Sequence, residues 1–410
     1  MRIAFFSDNF YPELSGVSDS ILTLGKELAR RGHDVLFSVP AYSSAAFRRA
    51  KVPLEELELG DHISIERRFS LPFPGSPTGQ GRIAIPLPRL TAQVKSFAPE
   101  VIHTQFFFGM GLAALSASKR LGVPLVGTSH TATKEFLAYA PIRAAWSDRL
   151  VIKYMNWFYS QCDIVTAPSA SVLEEMHADG FAKEGRALSN PIDTDLFSPQ
   201  ADKEALKQKF GFGPHTLFHA GRFSEERHID VLIEALAEVR RTVHDAELAI
   251  AGRGASEAFL KQKAANLGLN GAVRFLGLLD KPTLAAAYNA SDIFLIASTC
   301  ETQSLVLMQA FACGLPAIGV RARALPEYIN SQNGFLTEPG DAHGMGAYAA
   351  RLLLDATLRR KLGKGARSFS EQFSTPSIAD QWEAIYAEAI ARYHANSLAQ
   401  IAKGKQLLPS

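Results

Sequence analysis

The sequence predicts an α/β protein of two doubly wound, parallel-sheet domains. Three observations carry that prediction. Short apolar runs alternate with helical patterns, as strands alternate with helices in a parallel sheet. The alternation restarts once, near residue 190. The chain has 410 residues, more than one hydrophobic core usually supports.

Strands are expected at 3–7, 34–39, 101–103, 124–128 and 163–167. Helices separate them at 17–31, 87–97, 109–121 and 170–177, with a further amphipathic helix over 145–159. The break falls at Asn190-Pro191-Ile192-Asp193, ahead of a polar stretch containing Pro199 and Asp202. Strands then recur at 217–220, 247–251, 273–276, 293–297 and 316–319, with helices at about 229–241, 256–267, 283–288, 304–313 and 342–353. Residues 1–190 and 191–376 therefore read as two Rossmann-like domains with the site in the cleft between them. A helix over about 377–402 follows and is expected to pack back on the first domain, leaving a frayed tail at 403–410. No short-period repeat is present.

Composition narrows the class. Hydrophobic residues make up 47% and charged residues 20%, which fits a globular enzyme. A net charge of +2 gives no argument for nucleic acid. Cys162, Cys300 and Cys313 are too few and scattered for a disulfide framework, and no CxxC pair suggests a metal. The opening apolar residues meet Ser7, Asp8 and Asn9 too soon for a signal sequence. No run reaches the roughly 18 apolar residues of a spanning helix. The cytoplasm follows as the default compartment, with peripheral membrane attachment open.

The most informative segment is Glu301-Thr302-Gln303-Ser304-Leu305-Val306-Leu307-Met308-Gln309. It joins an apolar strand to a helix, where an open α/β sheet places its ligand. The amides of Ser304 and Leu305 would face an anion or sugar hydroxyl, aided by the helix dipole. Glu301 would accept hydrogen bonds from a sugar, and Gln309 would reach a second polyol. Arg222 and Arg227 flank the loop after the first strand of the second domain. Their guanidiniums suit a diphosphate, or else pair with Glu225 and Glu226 as surface charge. Gly16 opens a helix, where its amide can approach a phosphate; a glycine needed only for the turn fits equally. It is not part of a GxGxxG fingerprint, which argues against a dinucleotide dehydrogenase. His130, at a strand's carboxyl end, suits either a sugar hydroxyl or a core role; His103 reads as structural. Gly252-Arg253-Gly254 is consistent with a nucleotide loop and with an ordinary turn.

Taken together these residues resemble the retaining glycosyltransferases of family four, which have the GT-B fold. The resemblance runs from Met1 to about Gly340. Its words are Gly16-Val17, Arg31-Gly32-His33-Asp34-Val35, Ser129-His130-Thr131, Ile192-Asp193-Thr194-Asp195-Leu196-Phe197, Gly221-Arg222-Phe223, the Glu301 segment, Gly314-Leu315-Pro316 and Asn333-Gly334-Phe335-Leu336. It implies that Gly16, Arg222 and Arg227 hold the donor diphosphate. It implies that Glu301 bonds the transferred hexose, surrounded by the amides of Gln303, Ser304 and Leu305. His130 would sit by the hexose on the acceptor side, and the residue eight positions after Glu301 would grip the ribose. The chain departs from the family pattern in three places. Arg227 replaces a lysine, Gln309 replaces a glutamate, and Ser15-Gly16 replaces a pair of glycines.

Thr128-Ser129-His130-Thr131, then Lys134-Glu135-Phe136-Leu137-Ala138-Tyr139, resembles the diacylglycerol glucosyltransferase branch. The resemblance implies transfer of glucose from UDP-glucose to a hydroxyl acceptor, with the nucleotide sugar as co-substrate. No metal or other cofactor is expected. Rival readings are a GDP-mannose-dependent mannosyltransferase with a lipid or saccharide acceptor, and a non-catalytic binding protein with a degraded site. Candidate membrane-contact surfaces are Phe47-Arg48-Arg49-Ala50-Lys51 and residues 141–159, through Arg143, Trp146, Arg149, Lys153, Trp157 and Phe158. A helix packed on its own domain with a solvated charged face suits the second surface equally.

Overall fold

The structure, a computed structural model, describes residues 1–13, 15–50, 52, 54–55, 57–73, 81–84, 91–130 and 145–406; at 49, 50, 145 and 399–406 it describes the backbone alone. The chain divides into two compact units, Met1–Pro191 with Thr375–Ser410, and Ile192–Ser374.

The first unit carries β1 (Arg2–Phe6), β2 (Asp34–Pro40), β3 (Ile63–Arg68), the short antiparallel pair β4 (Ser70–Pro72) and β5 (Arg82–Ala84), β6 (Val101–Thr104), β7 (Leu125–Thr128), β8 (Ile164–Ala167) and β9 (Arg186–Ala187). Seven of these form one parallel sheet in the order β3-β2-β1-β6-β7-β8-β9. Its helices are α1 (Gly16–Arg30), α2 (Ser44–Ala50), α3 (Ala92–Phe97), α4 (Gly109–Leu121), α5 (Ala145–Ser160) and α6 (Ala170–Ala178). The helix expected over 87–97 is described only from Ala92; residues 85–90 lie outside the described residues.

Strand alternation decides what covers each face. Ile3, Phe5, Val35, Phe37 and Val101 pack with Ile21, Leu24 and Leu28 of α1 and with Ile378, Trp382 and Tyr386 of the C-terminal helix, Thr375–Gln406. Ala4, Phe6, Leu36 and Ile102 pack on the other face with Met110 and Ala114 of α4 and with Met155 and Phe158 of α5. The Arg31–His33 word explains how the C-terminal helix is fastened. Arg31 Nη1 reaches Asp380 at 2.6 Å and Glu383 at 2.7 Å, and His33 Nε2 lies 2.6 Å from Glu383. His103 has a structural role there: Nδ1 lies 2.8 Å from the Tyr386 hydroxyl and the ring 4.4 Å from that of Trp382.

The second unit holds α7 (Lys203–Phe210), β10 (Thr216–Ala220), α8 (Ile229–Val239), β11 (Glu247–Ala251), α9 (Glu257–Asn266), β12 (Val273–Gly277), α10 (Lys281–Asn289), β13 (Ile293–Ile296), α11 (Leu305–Ala312), β14 (Ala317–Val320), α12 (Leu325–Tyr328), β15 (Gly334–Thr337), α13 (Ala342–Leu354) and α14 (Ala356–Ser370). Its six strands form a parallel sheet in the order β12-β11-β10-β13-β14-β15. Crossing outward in both directions from β10 and β13 makes that pair the switch point of the sheet, where α/β proteins bind ligands. The entering and leaving strands of the unit run side by side: Ile192 N–H donates to the Phe373 carbonyl at 2.8 Å.

Candidate active site

In the second unit, the carboxyl ends of β10 and β13 place the arginines and Glu301. After β10 the chain turns through Gly221-Arg222-Phe223-Ser224 into a single 3-10 turn, Glu225–Arg227. The turn is braced from β11. Gly252 adopts φ 136°, and a Cβ there would run into the Gly221 carbonyl; one on Gly254 would meet that of Phe223. Phe223 N–H donates to the Arg253 carbonyl at 2.9 Å. Gly252-Arg253-Gly254 therefore supports the arginine loop from beneath.

Arg222 is half-buried. Its Nη2 donates to Glu226 Oε1 at 3.0 Å, and Ser224 Oγ donates to the same oxygen at 2.7 Å. Arg227 pairs with Glu301, which is buried, and donates to Ser298 Oγ at 3.4 Å. Burial works against the Arg227 charge, but neighbouring Glu301 outweighs it and raises the guanidinium pKa. The two arginines thus take different carboxylates, and only Arg222 uses one from the adjacent turn.

The helix that follows Glu301, α11, begins at Leu305 with Ser304 as its capping residue. Ser304 Oγ makes no capping hydrogen bond, although the residue is 1% exposed. Among the described residues this hydroxyl has no hydrogen-bond partner. The first-turn amides of α11 lack intrahelical partners by geometry and carry the positive end of the helix dipole. Gln303 is buried beside them and Leu305 is half-buried. Gln309 sits one turn along and is held separately, with Oε1 3.4 Å from the Tyr288 hydroxyl.

His219, missed in the sequence, completes this cluster. It is the penultimate residue of β10, beyond the last strand pair with β13, Phe218–Phe294. Its Nδ1–H donates to the Leu295 carbonyl at 2.8 Å, so Nε2 carries the lone pair. Among the described residues that atom is buried without a partner, as is Arg227 Nε. Burial lowers the His219 pKa to about 4, so the ring is neutral near pH 7.

The first unit gathers its polar groups at the ends of β1, β6 and β7. Gly16 is exposed at the first position of α1; Ser15 caps that helix, accepting from the Ser18 amide at 3.2 Å. His130 is buried with Nε2 2.6 Å from Gln105 Oε1, and burial lowers its pKa to about 4. Gln105, also missed in the sequence, follows β6 as His130 follows β7. Asp8 follows β1 and accepts from the Met110 amide at 3.2 Å. Burial, opposed by that hydrogen bond, pushes its carboxyl up to about 7. His103 Nε2, Thr128 Oγ1 and Thr166 Oγ1 form a buried chain with 2.7 Å steps. Thr131 and the 134–139 motif lie outside the described residues.

The expected membrane surfaces need one correction. Phe158 is fully buried, because α5 turns that side to the core, so it is no surface contact. Arg143 and Lys51 lie outside the described residues. No helix among the described residues is long and apolar enough to cross a membrane.

Comparison with known proteins follows the same two-part division. Residues 14–196 match the model of Glycosyltransferase Family 4, and residues 202–369 match that of Glycosyl transferases group 1. The chain is 29% identical to N-acetyl-alpha-D-glucosaminyl L-malate synthase of Bacillus anthracis, over 93% of this chain and 96% of that protein. It is 29% identical to alpha-monoglucosyldiacylglycerol synthase of Streptococcus pneumoniae, over 78% and 70% of the two chains. It is 28% identical to a GDP-mannose-dependent alpha-mannosyltransferase of Mycobacterium tuberculosis, over 93% and 95%. In fold it resembles Anabaena HepE, solved with UDP and glucose, at a TM-score of 0.71 and 21% identity over 94% and 99% of the chains. Sucrose-phosphate synthase of Thermosynechococcus elongatus aligns at a TM-score of 0.74 and 20% identity, over 95% and 99%. Two Rossmann-like units, each matched by its own glycosyltransferase model, make this chain a family-four glycosyltransferase of the GT-B fold.

Proposed function

We propose that the enzyme moves glucose from UDP-glucose to a lipid hydroxyl such as that of diacylglycerol, with retention at the anomeric carbon. One observation carries the donor half. The second unit pairs Arg227 with Glu301 just before the free end of α11, holds Arg222 on the same loop as Arg227, and leaves Ser304 Oγ and Arg227 Nε buried without partners among the described residues. An unsatisfied buried donor costs roughly 1–3 kcal/mol, which a ligand oxygen relieves. A diphosphate satisfies such donors, and Glu301 accepts from a sugar hydroxyl.

In the proposed step the bond between the anomeric carbon and the phosphate oxygen breaks. The acceptor oxygen bonds that carbon on the same face, and its proton passes to the departing phosphate. Arg222, Arg227 and the helix amides stabilise the charge growing on the diphosphate. His130, neutral and fixed by Gln105, offers a hydrogen-bonding group on the acceptor side, and Gly16 an amide for the donor phosphate. Gln309 takes the ribose, with less charge assistance than a glutamate. Turnover is proposed to need no metal, so a chelator leaves it unchanged.

The lipid acceptor draws support from the similarity to a monoglucosyldiacylglycerol synthase. Peripheral attachment to the inner membrane face follows from such an acceptor. A GDP-mannose donor is the second reading, because the mannosyltransferase relative matches over more of the chain. Incubation with radiolabelled UDP-glucose, GDP-mannose and a total lipid extract tests both. The proposal requires label from UDP-glucose in the organic phase, lost in Glu301→Ala. Label from GDP-mannose alone selects the second reading, and label confined to water-soluble products rejects the lipid. The anomeric configuration of the product, read by NMR, tests retention.

A further inference from the structure

We propose that the outer face of α5 is a docking surface for an anionic lipid bilayer. The helix carries large apolar side chains on two faces where its own domain needs only one. Met155, Phe158 and Tyr159 are buried in the core, and Val151 and Tyr154 pack partly against it. The Tyr154 hydroxyl donates to the Phe107 carbonyl at 2.7 Å, and Asn156 Nδ2 to the Asp179 carbonyl at 2.8 Å, so this side is anchored.

Trp146, Arg149, Leu150, Lys153 and Trp157 point the other way, and all five are exposed. Their spacing of i, i+3, i+4, i+7 and i+11 draws one stripe along the helix. Trp146 is 64% exposed, Leu150 63% and Trp157 47%. The chain has three tryptophans, and the third, Trp382, is buried. Exposed tryptophan is therefore confined to this stripe, although the Trp157 ring also lies 5.7 Å from that of Tyr154. Beyond the helix, Lys119 Nζ reaches Gln161 Oε1 at 3.4 Å and continues the basic surface.

The occupant follows from charge and residue type. The stripe holds cations between indole rings and contains no carboxylate; Asp148 lies off it, half-buried. Indoles settle at the boundary between headgroups and acyl chains, while arginine and lysine extend their heads to lipid phosphates. An acidic protein surface would suit the cations but gives no place to the two exposed indoles, which a bilayer interface does. The inference extends the lipid-acceptor reading, on which its purpose rests.

Co-sedimentation of the full-length protein with vesicles tests it, using phosphatidylglycerol-rich against pure phosphatidylcholine vesicles, with no donor or diacylglycerol present. Binding is thus read apart from transfer, and the two readings fail separately. Selective binding to the anionic vesicles is expected. Arg149→Glu with Lys153→Glu lowers the partition coefficient at least about tenfold, and raised salt weakens wild-type binding. Trp146→Ser with Trp157→Ser lowers binding to a similar degree, with unchanged melting temperature. A control reversal on α14, Arg360→Glu with Lys361→Glu, leaves it unchanged. No wild-type binding, equal binding to both vesicles, or undiminished binding by the stripe variants overturns the proposal. So does a wild-type dimer in buffer that the tryptophan variant converts to monomer, which makes the stripe a protein interface.

Discussion

The polar clusters of the two units solve opposite electrostatic problems. In the second unit the groups are ions: Arg222 pairs with Glu226, and Arg227 with Glu301. In the first, His130, Gln105, His103, Thr128 and Thr166 bond mainly as neutral groups. The difference fits the division of labour that the proposed reaction needs. Fixed cations suit a diphosphate whose charge grows as it leaves, whereas neutral donors and acceptors suit a hydroxyl that must be oriented without being ionised early.

Removing the more accessible cation gives the largest expected effect. Arg222→Ala is expected to lower kcat/KM by roughly 10²–10³, about 3–4 kcal/mol of lost transition-state stabilisation. The half-buried side chain carries little of the fold, so the melting temperature is expected to hold. Unchanged steady-state kinetics would remove Arg222 from the diphosphate site.

The second expectation separates charge pairing from packing. Glu301→Ala removes the buried partner of the half-buried Arg227 guanidinium, at a cost of about 3 kcal/mol in unfolding free energy. Adding Arg227→Met removes that charge and recovers part of the loss. Additive losses in denaturant unfolding would show that the pair is not coupled.

Acid probes the neutral groups. The pKa values of His130 and His219 fall to about 4 in the fold, against an ordinary 6.5. As pH drops, the unfolded chain takes up these protons first. Their stabilisation is complete above about 6.5 and is lost towards 4, at about 3 kcal/mol for each group. Asp8 works the other way. Its carboxyl, raised to about 7, favours the fold at low pH, and that contribution disappears as pH rises through 7. Asp8→Asn should therefore stabilise the protein at pH 8 and steepen its acid loss. Urea melts of both proteins at about pH 8, 6 and 4.5 check this; parallel stability curves would contradict it.

The smallest effect concerns Gln309. Restoring a glutamate adds charge-assisted hydrogen bonding to a ribose and is expected to lower the donor KM by about threefold to tenfold. Donor titration of Gln309→Glu measures it, and an unchanged or higher KM would place the ribose elsewhere.

Much of this arrangement was legible in the sequence, because apolar runs and strand-end positions are local signals. The strands around Phe5, Val35, Leu217 and Leu295 could be read directly. Other elements lacked such signals. Helix α7 is rich in lysine and buries chiefly Lys207, so it reads as a polar connector. Helix α14 carries Gly363 and Gly365 inside a basic run, and β15 is a four-residue edge strand opened by a glycine. His219 and Gln105 were missed for another reason. Their partners are supplied by neighbouring strands, Leu295 lying 76 residues from His219, and local periodicity carries no trace of that pairing.

The fastening of the C-terminal helix to Arg31 and His33 also fixes an order of events. The first sheet is translated early, yet the helix that covers Ile3, Phe5 and Val35 is made only after the whole second unit. The middle of the chain, from Ile192 to Ser374, can therefore mature while its predecessor still shows a bare hydrophobic flank. A chain stopped at residue 374 would retain the second unit whole and expose a sticky, half-finished first unit, so solubility is what truncation would take away first.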